Sequence, residues 1–444
     1  MKNVSLSLTL VLLGCSFVLG QSQYKVLWTF AGAPNDGETP KSDLVFDKAG
    51  NLYGTTNGGG SAESGTVFML SPNQDGSWTN TILHSFCTQY VDGLCKDGAN
   101  PQAGLIFDAQ GNLYGTTVNG GEMACSRASV GCGTVFELSP PSPPGGAWTE
   151  KVLYSFCENL VNNKCLDGNF PLGQLTNASG SLYSTTESGG ANGYGTVFEL
   201  SHGKSGWTET VLYSFCSLGQ EGICPDGDGP QAGVSFDKLG NLYGTTEFGG
   251  TNNVHGEGTV FKLSPGANGW TETVLHSFHQ GGDGAGPLGG VSFDTLGNLY
   301  GTFSGGGSDN AGGLFRILAK NGKIGSFFFN GSNGSEPHAG LLVDSKHATV
   351  YTTTTLGGTG NGGTVFEATA AGEESVLYSF CSQPNCTDGA SPVASVISDA
   401  DGNLYGTAEQ GGINNQGVVF EIEQQATKAS ASQATLKSPH DEKH

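Results

Sequence analysis

The sequence predicts an all-β fold, a seven-bladed β-propeller with four strands per blade, on three observations. A four-part phrase recurs seven times in fixed order, at intervals of about 50 to 70 residues. Such self-similarity marks an array of one supersecondary unit, and four short strand-like parts make that unit a blade. The two chain ends have complementary deficits: the last copy stops one strand short, and an unmatched strand opens the chain. Finally, 74 of the 444 residues are glycine and only 13% are charged. The glycines lack the three-residue period of collagen, and regularly placed Val, Leu, Phe, Tyr and Trp can fill a core, which excludes a disordered chain.

Taken in order, residues 1–20 read as an export signal, with Lys2, an apolar run from Val4 to Leu19 and a small-residue exit at Val18-Leu-Gly20. The run is short for a membrane span, and no other segment approaches one, so no transmembrane segment is expected. An alternative is a lipid anchor through Cys15, but Leu13 and the apolar residues after the cysteine favour plain secretion. The propeller is expected over 21–423. Its first element, Tyr24-Lys-Val-Leu-Trp-Thr-Phe30, matches the outer strand that the seventh copy lacks after Val418-Val-Phe-Glu-Ile422. Adding it there closes the ring and removes an open sheet edge. Residues 424–444 read as a disordered polar tail without a hydrophobic sorting anchor.

The cleanest repeat shows how each part forms. Ala232-Gly-Val-Ser-Phe-Asp237 is the inner strand, turned by Asp237 and Gly240 into Leu242-Tyr-Gly-Thr-Thr246. Gly258-Thr-Val-Phe-Lys-Leu263 and Trp270 to Phe278 complete the blade. The middle strands are apolar on both faces, as blades packed face to face require. Mid-strand glycines beside tyrosine (Gly54, Gly115, Gly244, Gly301, Gly406) are expected to make room for an aromatic of the neighbouring blade. Copies five and six are degenerate, with Leu314-Phe-Arg316 for Val-Phe-Glu and Ala348-Thr-Val-Tyr351 for Gly-Asn-Leu-Tyr.

The formal charge of -22 repels phosphate backbones, which argues against a nucleic-acid partner. Only Arg127 and Arg316 are arginines, so no arginine cluster can clamp a carboxylate. Ten cysteines besides Cys15 fall into close pairs, and disulfides Cys87–Cys95, Cys125–Cys132, Cys157–Cys165, Cys216–Cys224 and Cys381–Cys386 are expected. No Cys-x-x-Cys spacing points to zinc. The pairs lie in two sets of loops that share one face of the ring, whereas the opposite face carries tight turns. Long, stapled, variable loops make that face the place to seek function.

That face repeats Asp-Gly-x-x-Pro, led by Asp36, Asp97, Asp167, Asp283 and Asp388, with the acid doubled at Asp226 and Asp228. One reading is a turn in which Asp accepts backbone N–H bonds, and recurrence in nearly every blade favours it. The other is a ring of carboxylates for a cation, calcium at Asp226 and Asp228 being the best candidate. His255, His279 and His338 are unique to their blades, Phe248 offers an aromatic surface, and His84 and His276 read as structural. No nucleophile–base motif occurs. The candidate ligand-binding residues are therefore Asp97, Asp167, Asp226, Asp228, Phe248, His255, Asp283 and Asp388, with no catalytic residue and no cofactor beyond calcium.

Gly-Asn-Leu-Tyr-Gly-Thr-Thr, Gly-Thr-Val-Phe-Glu-Leu and Val-Leu-Tyr-Ser-Phe resemble the GloVer (Gloeobacter/Verrucomicrobia-type) tandem repeat of exported bacterial proteins, from Tyr24 to Ile422. The resemblance implies a secreted or surface-anchored repeat protein and brings no catalytic residue with it. The Asp-x-x-Gly-Asn-Leu-Tyr hairpin alone is also similar to lactonase-type propellers with a central metal. The expectation is a monomeric, secreted, non-catalytic binder of extracellular polysaccharide or protein. The alternatives are a metal-dependent hydrolase or lyase using His255 or His338, and a purely structural surface protein.

Overall fold

The computed structural model describes residues 23–424, apart from 126–130, 144, 220–222, 252–255, 280–281 and 370–371. The signal-like segment, the polar tail past Gln424 and His255 lie outside the described residues. Within them the chain forms seven four-stranded antiparallel blades. From the axis outwards, the first blade comprises Val45–Phe46, Leu52–Thr56, Thr66–Pro72 and Trp78–Ser85. The seventh comprises Ile397–Ser398, Leu404–Ala408, Val418–Glu423 and, as its outer strand, Gln23–Thr29 from the start of the chain. Tyr24 pairs with Ile422 and Thr29 with Val418, so the ring closes as the complementary ends require. Among the described residues the only helical element is the 3-10 turn Pro384–Cys386.

Two seven-fold sets of contacts join the blades. The phenylalanine that ends each outer strand packs on the third-strand phenylalanine of the next blade: Phe86 on Phe136, Phe156 on Phe198, Phe215 on Phe261, Phe278 on Phe315, Phe329 on Phe366, Phe380 on Phe420. Phe30 on Phe68 completes the circle, and ring centroids lie 5.0–5.3 Å apart in edge-to-face contact. All fourteen rings are at most 2% exposed, and each such pair adds about 0.5–1.5 kcal/mol beyond its area. Nearer the axis, Thr55, Thr116, Thr185, Thr245, Thr302, Thr353 and Thr407 each donate from Oγ1 to a carbonyl in the segment that leads into the inner strand of the next blade. The acceptors are Ala103, Gly173, Ala232, Gly289, Ala339, Ala394 and Ser42, at 2.7–3.5 Å. These bonds fix the inner strands around the axis.

The mid-strand glycines make room within their own blade, not for the neighbour. A Cβ on Gly115 would stand 2.6 Å from Cζ of Phe136, its partner on the third strand, and Gly244 and Gly301 relate alike to Phe261 and Phe315. The third-strand ring folds back over its cross-strand partner, which the sequence pattern alone had assigned to an adjacent blade. A β-bulge between the third and outer strands recurs, as at Val135/Phe136, and adds the twist an outer strand needs. Degenerate blade five, whose outer strand is Ile324–Phe328, pairs there without a bulge.

Candidate functional site

The segment leading into each inner strand begins at a proline: Pro40, Pro101, Pro171, Pro230, Pro287, Pro337 and Pro392. The chain reaches it from the disulfide-bearing face, and alternation then turns the first and third residues after proline towards the axis. The second must stay small beneath the threonine bonds described above, and is Ser, Ala or Gly in all seven blades. The result is a central cavity of about 450 Å³ whose lining differs from blade to blade. At the mouth stand Lys41, Gln102, Leu172, Gln231, Leu288, His338 and Val393; one step deeper are Asp43, Gly104, Gln174, Gly233, Gly290, Gly340 and Ser395.

The polar members are held in place. Lys41 Nζ lies 3.4 Å from Glu409 Oε2. Gln231 donates from Nε2 to the Glu247 carboxylate, and Gln174 donates to the Leu105 carbonyl at 3.3 Å. Asp43 accepts the Ser395 N–H at 2.6 Å, a single bond that lowers its pKa less than burial raises it, so its carboxyl is pushed up to about 6. Burial lowers the His338 pKa, against the carboxylates of Glu336 and Glu409, which leaves the imidazole neutral near pH 7. The cavity thus brings together a cation, a proton-exchanging carboxyl, a neutral imidazole and three amides.

The repeated aspartates have another position. Asp226 accepts from Tyr213 OH at 2.6 Å and from Ser217 N and Oγ at 2.8 and 2.9 Å. Asp388 accepts from Tyr378 OH and from Ser382 and Gln383, Asp97 from Thr88 and Gln89, and Asp167 from Tyr154 OH and Glu158 N. Asp283 accepts the His279 N–H and lies 2.7 Å from His276 Nε2. In these five blades the carboxylate therefore folds the loop after the outer strand back onto that strand. Asp228 exchanges backbone bonds with Phe248, which is 45% exposed on the same face. Among the described residues, the group of three or more His, Cys, Asp or Glu whose ligand atoms converge within 4.8 Å is Cys125, Cys132, Cys157 and Cys165; it does not include Asp226 or Asp228.

Three glutamates that the sequence reading passed over lie against these aspartates. Glu150 and Glu209 are pushed up to about 8 and Glu272 to about 7, by burial first and then by Asp97, Asp167 and Asp226 respectively. Each has a buried Oε1 without a hydrogen-bond partner, which disfavours the charged form. Sequence reasoning also missed Lys41, Asp43, Gln102, Gln174 and Gln231. The available signal was departure from the repeat: Asp43, Gln174 and Ser395 stand where four copies have glycine.

All five expected disulfides are present. No helix among the described residues is long and apolar enough to cross a membrane. A family model described as the Gloeobacter/Verrucomicrobia repeat matches residues 14–164, 123–328 and 323–438. No curated protein matches the sequence. Among solved structures, a candidate 6-phosphogluconolactonase from Bacteroides fragilis is similar over 76% of this chain and 82% of its own, at 14% identity and TM-score 0.45. Puromycin hydrolase is similar over 85% of this chain and 50% of its own, at 8% identity and TM-score 0.51. A fungal alcohol oxidase solved in complex with copper is similar over 91% and 76%, at 14% identity and TM-score 0.51. At these identities the likeness is one of fold.

Proposed function

The chain belongs to the Gloeobacter/Verrucomicrobia repeat family, and from that premise we propose that it is an exported, non-catalytic binding protein whose central cavity receives the polar end of an extracellular glycan. The observation that carries this reading is the asymmetry of the cavity wall. Four blades have glycine at this position (Gly104, Gly233, Gly290 and Gly340), whereas Asp43, Gln174 and Ser395 put a carboxyl, an amide and a hydroxyl into the cavity there. Amides, a hydroxyl and single charges around one cavity suit sugar hydroxyls, which donate and accept alike. Exposed Tyr90 and Phe248 on the loop face add rings against which a longer sugar chain can lie. Five disulfides and the signal-like segment support export.

A second reading, acid–base hydrolysis, is favoured by one observation: Asp43, poised to exchange a proton near pH 6, shares the cavity with neutral His338. Melting of the mature protein against a panel of oligosaccharides tests the first reading, because a ligand bound only by the folded state raises stability by RT ln(1 + [L]/Kd). A rise with one glycan class, unchanged by EDTA and without release of shorter sugars, is expected. Release of shorter sugars, abolished by His338→Ala, would replace binding by hydrolysis. No rise with any sugar would overturn the glycan assignment.

A further inference from the structure

The Cys125–Cys132 disulfide belongs to the loop between the second and third strands of blade two, and Cys157–Cys165 to the connection from blade two to blade three. The fold brings these separate loops together, so that the four sulfurs all lie within 4.8 Å of one another. Each of these cysteines is at most 9% exposed. The other three disulfides stand alone among the described residues. The amide of Asn169 lies between the two bridges, its Nδ2 3.5 Å from Cys125 Sγ and 3.9 Å from Cys165 Sγ. A pocket of about 550 Å³, lined in part by Cys125, Cys157, Cys165, Lys164 and Asn169, leads to the sulfurs from the loop face.

We infer that these four cysteines form a redox-gated site for a soft divalent cation: two disulfides when oxidised, a tetrathiolate around one Zn²⁺ when reduced. A tetrahedral ZnS4 centre has Zn–S bonds of about 2.3 Å and therefore S···S separations of about 3.8 Å, within the span the sulfurs already occupy. Opening each bridge to that separation needs side-chain rotation, not a new path for the backbone. Asn169 supplies the outer N–H donor that thiolate ligands commonly take, and the pocket gives an ion and a reductant their way in. The reaction balances with a dithiol as reductant. Each disulfide gains two electrons and two protons from one dithiol, which leaves as its own disulfide. The four thiols then release four protons to solution as they bind one Zn²⁺. The spacing of the cysteines along the chain hides this site because its ligands come from two loops rather than from one Cys-x-x-Cys knuckle.

The test uses the mature protein reduced with a dithiol, freed of excess reductant under argon, and titrated with Cd²⁺ as a spectroscopic probe and then with Zn²⁺. One tightly held ion per chain is expected, seen as a saturating thiolate-to-cadmium charge-transfer band and as a mass increment in native mass spectrometry. Cys125→Ser/Cys132→Ser, which leaves Cys157–Cys165 resembling the solitary bridges of other blades, should fold and lose that ion. Absence of an ion from folded, reduced wild type, or equal binding by the double variant, would overturn the assignment. Should full reduction unfold the chain, limited reduction at unchanged circular dichroism followed by thiol trapping decides. Mixed pairs confined to Cys125, Cys132, Cys157 and Cys165 are expected, and native pairs alone would contradict the four-sulfur cluster.

Discussion

Single residues in this repeat are legible when their role is local and obscure when it depends on the neighbouring strand. Gly115 could be read as making space, but which ring fills that space depends on register, which places Phe136 of the same blade over it. Gly115→Ala should therefore cost about 1–3 kcal/mol by overpacking, measured by denaturant unfolding, with the larger effects where Phe136 cannot move. The outer-strand glutamates were illegible for another reason: Trp-Thr-Glu looks like a solvated edge until the loop aspartate folds onto it. Blade one already carries the amide version, Asn80 donating to Asp36 at 2.7 Å where other blades have glutamate. Glu209→Gln supplies the same donor to Asp167. It should stabilise the protein at pH 8 by on the order of 2 kcal/mol and change little at pH 5, read from melting at the two pH values.

At the scale of elements, the repeat phrase, the displaced first strand and the equal cysteine spacings were all visible, because each is a pattern along the chain. Blade five was the weakest, and its outer strand does form, held by Phe328 against Phe303 and by Phe327 against Phe366 in the next blade. Deleting Gln23–Thr29 would expose the ladder of Val418–Glu423 and open the joint sealed by Phe30 and Phe68. Such a chain should melt far below the full-length protein and self-associate through the free edge, as gel filtration would show. By contrast, Cys216→Ser/Cys224→Ser relaxes one small loop. It should cost about 2.5 kcal/mol at most on chain-entropy grounds, with the far-ultraviolet spectrum unchanged.

The molecule as a whole has two populations of carboxyl group with opposite effects on stability. Asp43, Glu150, Glu209 and Glu272 have folded pKa values raised above their unfolded ones, to about 6, 8, 8 and 7. Their stabilising protons are fully held below pH 4 and are lost as pH rises towards 8. The hairpin aspartates Asp47, Asp108, Asp237 and Asp294 are lowered: burial raises them, but bonds from asparagine, backbone and tyrosine lower them more. Their contribution is present above pH 4 and lost in acid. The melting temperature should therefore peak near pH 4–5 and fall towards pH 8–9, opposite to the usual acid sensitivity of proteins held by exposed ion pairs.

The cavity itself was the least legible part, because it is made of one or two residues from each of seven distant copies. Only alignment of the copies on their prolines exposes Asp43, Gln174 and Ser395 as departures from the small residues the fold accepts. The most direct test is isothermal titration of the glycan selected by the melting panel into wild type, Gln174→Ala and Asp97→Asn. At least a tenfold loss of affinity is expected for Gln174→Ala, with a loss of stability of no more than about 1 kcal/mol from the bond to the Leu105 carbonyl. Asp97→Asn should lower stability and leave affinity within about twofold. The reverse pattern, with affinity following Asp97 and indifferent to Gln174, would move the binding site from the central cavity to the loop aspartates and contradict the account.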